Sequence, residues 1–194
     1  MQGSKIRLSA PEAALIGNAE VILTKNSIIQ KTVLLLSSLQ NELVALREWS
    51  ETTSPKISKG ENYLGLPYVV LDYPRISRGE DLYFIRSMFW WGNFFSSTLQ
   101  VAGAYKQKSM AGLTAAFKML AANNYYIGIN EDPWQHHFEP SNYKKINDLS
   151  QTEFLFLLEH HPHIKIAARW PIAEWDGAAN RLFESWQRLK ALVA

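Results

Sequence analysis

The segment from Tyr63 to Tyr105 constrains the fold of this chain most, because it holds 11 of the 24 aromatic residues. Within it, two strand-like runs flank the dipeptide Gly92-Asn93. Glycine and asparagine tolerate the positive φ angles of a two-residue hairpin turn. The pattern therefore predicts two antiparallel strands joined at this turn, and the run from Leu66 to Tyr73 predicts a third strand.

A two-residue turn fixes the register of the hairpin, and it predicts that Trp91 lies opposite Phe94 and Met88 opposite Ser97. Side chains alternate between the two faces of a sheet. One predicted face carries Leu82, Phe84, Arg86, Met88, Trp90, Phe95, Leu99 and Val101. The other carries Tyr83, Ile85, Ser87, Phe89, Trp91, Phe94, Ser96, Thr98 and Gln100.

The first of these faces is almost wholly apolar, so we expect it to pack against helices. Arg86 is the exception, because a guanidinium group is costly to bury without a partner. Two explanations are open. Arg86 either pairs with Asp72 on the neighbouring strand, or holds the carboxylate or phosphate of a ligand through a bidentate contact.

The second face mixes large aromatic side chains with small hydroxyl groups, a combination that can line a ligand pocket. Packing beneath a helix and burial in a subunit interface are the alternatives for the same surface. The candidate ligand-binding residues are Tyr83, Arg86, Ser87, Phe89, Trp91, Phe94 and Ser96.

The rest of the chain predicts helices and further strands. Ser9 and Glu12 form a capping-box pattern before a helix at 10–23, and a break at 24–27 precedes a long helix at 27–50. The long helix has an apolar stripe at Ile29, Leu36, Leu39, Leu43 and Leu46, and 51–62 reads as a loop. Later predicted elements are a helix at 108–122, strands at 125–130 and 134–138, a helix at 150–160 capped by Ser150, a strand at 164–170 and a helix at 173–192.

This grouping of helices and antiparallel hairpins predicts a single α+β domain spanning 1–194, with a sheet of five or six strands. Its parts are a helical pair at 10–50, the aromatic strands at 63–105 and mixed elements at 106–194. The net charge of +2 and the dispersed basic residues give no indication of a nucleic-acid partner. The N-terminus lacks a signal-like apolar run and no stretch reaches membrane-helix length, so we expect a cytoplasmic protein without a membrane partner.

All five histidines fall within 28 positions, between His136 and His163. Imidazole and carboxylate groups are common ligands of transition metals, so His137, Glu139, His161 and His163 are the candidate metal ligands. Neither an H-E-x-x-H helix nor another known spacing supports this site. The chain also has no cysteine, no nucleophile elbow and no phosphate-binding loop.

Three functions remain open on the sequence alone. The favoured one is a non-enzymatic module that needs no cofactor and binds a partner, or a small aromatic or anionic ligand, on the aromatic sheet. The first alternative is a hydrolase that uses a divalent transition metal held by the histidine cluster. The second alternative is a homodimer that buries its aromatic residues between subunits and takes no ligand.

Overall fold

The structure is a computed structural model that describes residues 6–46 and 54–193. Its strands are β1 (Lys56–Tyr63), β2 (Leu66–Arg78), β3 (Asp81–Trp90), β4 (Phe94–Ala102), β5 (Tyr126–Gly128), β6 (Tyr143–Lys145) and β7 (His163–Pro171). Its α-helices are α1 (Ala10–Ile16), α2 (Ala19–Ala45), α3 (Gly103–Ala115), α4 (Phe117–Ala122), α5 (Gln151–His160) and α6 (Ala178–Lys190).

The seven strands form one antiparallel sheet in the order β1-β2-β3-β4-β7-β5-β6. This confirms the predicted α+β class, with one or two strands more than expected. The sequential strands β1 to β4 are joined by short turns, whereas β7 reaches β4 only after three helices and two short strands.

The hairpin between β3 and β4 is confirmed, but its turn holds three residues rather than two. Trp90 is paired with Phe94 and Phe89 with Phe95, so the predicted register is wrong by one residue. The reason is that Trp91 pairs with β2 instead of β4: its amide donates to the carbonyl of Pro67 at 3.0 Å. A shift of one residue moves every side chain of β4 to the other face relative to β3.

Helices cover one face of the sheet, which we call the helix-side face. It carries Tyr83, Ile85 and Phe89 of β3 and Phe95, Leu99 and Val101 of β4, all in one apolar cluster with the helices. The expectation that helices cover the Arg86 face of β3 is therefore wrong. Arg86, Met88, Trp90, Phe94, Ser96 and Thr98 share the opposite face instead.

Residues 129–142, the covering segment, lie across that opposite face, which we call the segment-side face. The segment has no regular secondary structure, so the strand predicted at 134–138 is wrong. The hydroxyl of Tyr63 satisfies its backbone by accepting hydrogen bonds from the amides of His136 and His137 at 2.7 and 3.0 Å. Phe138 then packs in an apolar cluster with Phe94 and Tyr143.

The helix-side core confirms the predicted stripe of the long helix. Leu36, Leu39 and Leu43 of α2 are each at most 1% exposed. Trp186 of α6 is buried beside them, and its indole N–H donates to the carbonyl of Tyr73 at 2.5 Å. Apolar packing of two amphipathic helices on one sheet face therefore dominates this side of the molecule.

The first two helices meet at a different place from the one predicted. The break falls at Gly17 and Asn18, and 24–27 lies inside α2. Asn18 decides the boundary, because its side chain accepts a hydrogen bond from the amide of Glu20 at 3.1 Å and so caps α2. The last predicted residues of the long helix, 47–50, lie outside the described residues.

Several other boundaries also differ. Residues 56–62, predicted as part of a loop, belong to the edge strand β1. Strand β2 continues past Pro74 because a bulge between Asp72 and Arg75 accommodates the proline. Helix α3 begins at Gly103, five residues before the predicted start. The capping box of Ser150 and Glu153 is confirmed at the start of α5.

Candidate functional site

The structure divides the predicted ligand-binding residues between two faces. Tyr83, Ser87 and Phe89 point to the helix-side face. Arg86, Phe94 and Ser96 lie on the segment-side face. Trp91 belongs to the turn. These seven side chains therefore do not form a single pocket.

Two of them, Phe89 and Trp91, line an apolar cavity of about 540 Å³ at the turn end of the hairpin. We call it the tip cavity. The turn of the hairpin forms one wall, α2 forms a second and the short 3-10 segment 172–177 after β7 forms the third. Its lining is Ile28, Lys31, Phe89, Trp91, Gly92, Asn93, Ile172 and Trp175.

The aromatic walls of the tip cavity meet edge to face. The ring centroids of Phe89 and Trp91 are 6.3 Å apart at an interplanar angle of 88°, and those of Phe89 and Trp175 are 6.1 Å apart at 80°. Trp175 also contacts Phe95, which is fully buried, at 5.5 Å. Edge-to-face contacts of this kind hold each ring against its neighbour and fix the shape of the wall.

The backbone around Trp91 is held from both sides. Its amide donates to Pro67 of β2, and its carbonyl accepts from the side-chain amide of Asn93 at 2.9 Å. Gly92 supplies the positive φ of 70° that the turn requires. The indole of Trp91 therefore stands at the cavity on a constrained turn, partly exposed to solvent.

The tip cavity offers one charge and one amide beside its apolar walls. Of its eight lining residues only Lys31 has an ionisable side chain, and Asn93 supplies a polar group at the rim. Lys31 is exposed and lies one helical turn after Ile28 on α2, so both side chains reach the same edge of the cavity. An apolar pocket with a few placed polar groups is the usual form of a small-molecule site.

The segment-side face is organised around an ion pair. Arg86 contacts both carboxylate oxygens of Asp72, with its Nε 2.7 Å from Oδ1 and its Nη2 2.8 Å from Oδ2. Asp72 is only 5% exposed. This confirms the internal pairing of Arg86 with Asp72 that the sequence offered as one of two explanations.

Arg86 has a further partner in the covering segment. Its Nη1 lies 2.7 Å from Nε2 of His136. Burial lowers the pKa of His136 well below its ordinary value, and the nearby Arg86 cation lowers it further. His136 is therefore neutral at physiological pH, and its ring nitrogen accepts the hydrogen bond from Arg86.

Lys165 of β7 is a second buried cation on this face. It is 1% exposed, and its Nζ donates to the carbonyl of Gln135 in the covering segment. Its Nζ also lies 4.8 Å from the centre of the Tyr143 ring. Burial lowers the pKa of Lys165 to about 8, because the surroundings solvate the ammonium group less well than water does.

A second cleft, of about 690 Å³, lies at the other end of β3 and β4. Its polar lining includes Glu80, Lys106 and His163. Lys106 is engaged there, because its Nζ donates to the carbonyls of Glu159 and His161. Burial, with a contribution from Lys165, lowers the pKa of His163, so its imidazole is neutral at physiological pH.

The structure does not gather the candidate metal ligands. Across residues 6–46 and 54–193, no three His, Asp or Glu side chains come close enough together to hold a metal ion. His137 instead accepts a hydrogen bond from the amide of Glu139 at 3.4 Å, within the covering segment. The metal-assisted alternative stays a prediction of the sequence.

Comparisons of the chain with protein-family models, with curated proteins and with solved structures found no match. Within the two described ranges, no helix is both long enough and apolar enough to cross a membrane.

The predicted ligand-binding residues include only two of the eight that line the tip cavity, Phe89 and Trp91. Ile28, Lys31, Ile172 and Trp175 come from elements that lie more than 50 positions from the hairpin turn along the chain. The only local signal was Trp175, a large aromatic residue in the first turn of the helix predicted at 173–192. A tryptophan at the start of a helix needs a packing partner, and here the partners are Phe89 and Phe95.

Proposed function

We propose that this chain is a non-enzymatic binding module that takes a small apolar carboxylate, aromatic or aliphatic, into the tip cavity. The observation that carries this proposal is the cavity of about 540 Å³ walled by Phe89, Trp91 and Trp175. Its volume lies within the range of about 300–1,000 Å³ that is typical of small-molecule sites.

The side chains that line the tip cavity determine which apolar group the ligand carries. Three aromatic rings and the side chains of Ile28 and Ile172 offer it no charge and little hydrogen bonding. Burial of apolar surface is worth about 25 cal/mol per Å², so an aromatic ring or a short alkyl chain gains most from this lining.

Lys31 determines that the charged group of the ligand is negative. It is the only charge among the lining residues and it lies at the exposed rim, where an ammonium group can meet a carboxylate that stays in contact with water. Arg86, which the sequence suggested as the anchor, is paired instead with Asp72 on the opposite face of the sheet. A ligand in the tip cavity is therefore anchored by Lys31.

The experiment is a titration of the protein with decanoate and with 2-naphthoate, followed by calorimetry and by tryptophan fluorescence. We expect saturable binding of both acids and weaker binding of the uncharged analogues decanol and 2-naphthol. Lys31→Glu should weaken acid binding roughly five- to tenfold, since exposed ion pairs contribute up to about 1 kcal/mol and the substitution adds repulsion. Lys59→Glu, at an exposed position on β1, changes the net charge equally and should leave binding unchanged.

A second pair of variants tests the cavity itself. Ile28→Trp places a large ring in the cavity and should abolish binding, whereas Leu34→Trp on the same helix, at a position 70% exposed, should preserve it. Circular dichroism and thermal unfolding establish that both variants are folded. Full binding by folded Ile28→Trp protein, or no saturable binding by the unsubstituted protein, would contradict the proposal.

A further inference from the structure

The N-terminal arm, residues 6–27, packs against the body of the molecule far less than the rest of the chain. None of its residues is buried, and α1 has no buried side chain along its whole length. The remainder of α2 is different, because Ile29, Leu36, Leu39 and Leu43 are buried against the sheet.

The arm is nevertheless rich in large apolar side chains. Six of them are 42% to 77% exposed: Leu8, Leu15, Ile16, Val21, Ile22 and Leu23. A contiguous exposed apolar surface on a folded protein usually marks an interaction site. Apolar residues scattered singly over a surface need no such explanation, but these six lie within 16 positions of the sequence, and we call them the arm patch.

The positions of the buried residues along α2 show why the sheet does not cover this patch. Its buried positions Ile29, Thr32, Leu36, Leu39 and Leu43 follow the spacing of an amphipathic helix. The same stripe extended towards the N-terminus includes Ile22, which is 57% exposed. The helix therefore continues beyond the part of the sheet that covers it.

We propose that the N-terminal arm is an interface with a second copy of this chain, in which two arms bury their apolar side chains against each other. The exposed fractions of the six side chains amount to roughly three and a half whole side chains. At about 60–120 Å² for each, they offer roughly 200–400 Å² of apolar surface.

This area supplies much of the apolar surface that one side of a dimer needs. A standard interface buries about 800 Å² per partner, and about 60% of that is apolar, which makes roughly 500 Å². The exposed alanines of the arm, Ala10, Ala13, Ala14 and Ala19, add apolar surface between the larger residues. Two-fold pairing of identical patches is the commonest way in which such a surface is covered.

The net charge of the arm favours a second copy of this chain as its partner rather than a membrane surface. Arg7 and Lys25 are balanced by Glu12 and Glu20, so the arm has no net charge. A helix that lies on an anionic membrane surface is typically rich in Lys and Arg on its polar face. A neutral arm also brings no electrostatic repulsion between two copies.

The test is sedimentation equilibrium of the full chain at concentrations up to about 100 µM, a range that detects dissociation constants of ordinary dimers. We expect twice the chain mass. The double variant Ile16→Glu and Ile22→Glu should raise the dimer dissociation constant at least about 100-fold, because it places four charges in one apolar interface. Both positions are more than half exposed, so the fold should be unaffected.

Leu64→Glu is the matched control, because Leu64 is 62% exposed in the turn between β1 and β2, outside the arm. It should leave the dimer intact. A monomer at 100 µM, or a dimer that the double variant does not weaken, would overturn the proposal. Sedimentation of a monomeric protein with phosphatidylcholine vesicles would overturn it as well and would assign the patch to a membrane.

Discussion

The two faces of the central sheet are built from different interactions. On the helix-side face, Phe89, Phe95 and Leu99 pack in one apolar cluster with the helices, at most 2% exposed. On the segment-side face, Asp72, Arg86 and Lys165 are charged and nearly enclosed. Successive residues of one strand thus point either to an apolar environment on the helix-side face or to charged side chains on the segment-side face. The tip cavity lies on the helix-side face.

Only one of the two faces can leave a gap in its packing without leaving a buried charge unpaired. Apolar packing is non-directional, so a gap in it leaves a usable apolar cavity. A buried ion pair needs every partner in place, because removal of one leaves an uncompensated charge. We therefore propose that the segment-side face is structural and that a ligand binds on the helix-side face.

The largest expected effect is on the helix-side face. Phe95→Ala should lower the free energy of unfolding by about 4 kcal/mol, because it removes a fully buried ring from beneath Trp175. Urea denaturation measures this change. Its control is Leu64→Ala in an exposed turn, which should change stability by less than about 0.5 kcal/mol. A loss of under about 1 kcal/mol for Phe95→Ala would show that this face is not tightly packed.

The second-largest expected effect comes from breaking the ion pair on the segment-side face. Arg86→Met should cost about 3 kcal/mol of unfolding free energy, because it leaves the Asp72 carboxylate buried without its partner. Adding Asp72→Leu should restore most of the loss. Ligand binding in the tip cavity should be unchanged in both variants. A double variant that is no more stable than Arg86→Met would contradict this description of the pair.

Lys165 gives a smaller effect that depends on pH. The pKa of its ammonium group is about 8 in the folded chain, against an ordinary value of about 10.5. Between these values the unfolded chain holds a proton that the folded chain has lost, so this residue makes stability rise with pH, by on the order of 2 kcal/mol. Lys165→Met should lack that rise.

The pH series also needs a control for tyrosine. Burial raises the pKa of Tyr143, so above about pH 10 the unfolded chain loses this proton first and stability falls. Unfolding of Lys165→Met between pH 7.5 and 9 separates the two effects, because tyrosine stays largely protonated there in both states. Equal pH slopes in the variant and the unsubstituted protein would contradict the role given to Lys165.

The smallest expected effect is that of His136. Its pKa is lowered in the folded chain, so as the pH falls below about 6.5 the unfolded chain takes up the proton first and stability is lost. His136→Gln should reduce this acid sensitivity without removing it, because the pKa values of His161 and His163 are lowered too. Thermal melts from pH 5 to 7 compare the variant with the unsubstituted protein, and equal losses of stability in the two would contradict the role given to His136.

The sequence predicted the elements of the fold better than their arrangement. Periodicity identified the stripe of Leu36, Leu39 and Leu43, and a serine followed three residues later by a glutamate identified the capping box at Ser150. Both signals depend on residues that lie close together in the sequence. It also identified the partner of Arg86, since opposite charges inside an apolar sheet need each other.

The register of the hairpin could not be found in this way. Gly92-Asn93 is compatible with a two-residue and a three-residue turn, and the choice depends on the hydrogen bond from Trp91 to Pro67 in another strand. That single residue exchanged the faces of β4 relative to β3. The tip cavity was out of reach for the same reason, because Ile28 and Trp175 are brought to the hairpin only by the tertiary fold.

A titration with 2-naphthoate, followed by NMR of the indole N–H groups, distinguishes ligand binding in the tip cavity from binding elsewhere on the protein. We predict saturable shifts of the Trp91 and Trp175 signals, which line the tip cavity, and no shift of Trp134 in the covering segment. Trp91→Phe and Trp175→Phe variants assign the two signals. Shifts confined to Trp134, or no saturable shift of either cavity indole, would contradict the claim that the helix-side face holds the ligand.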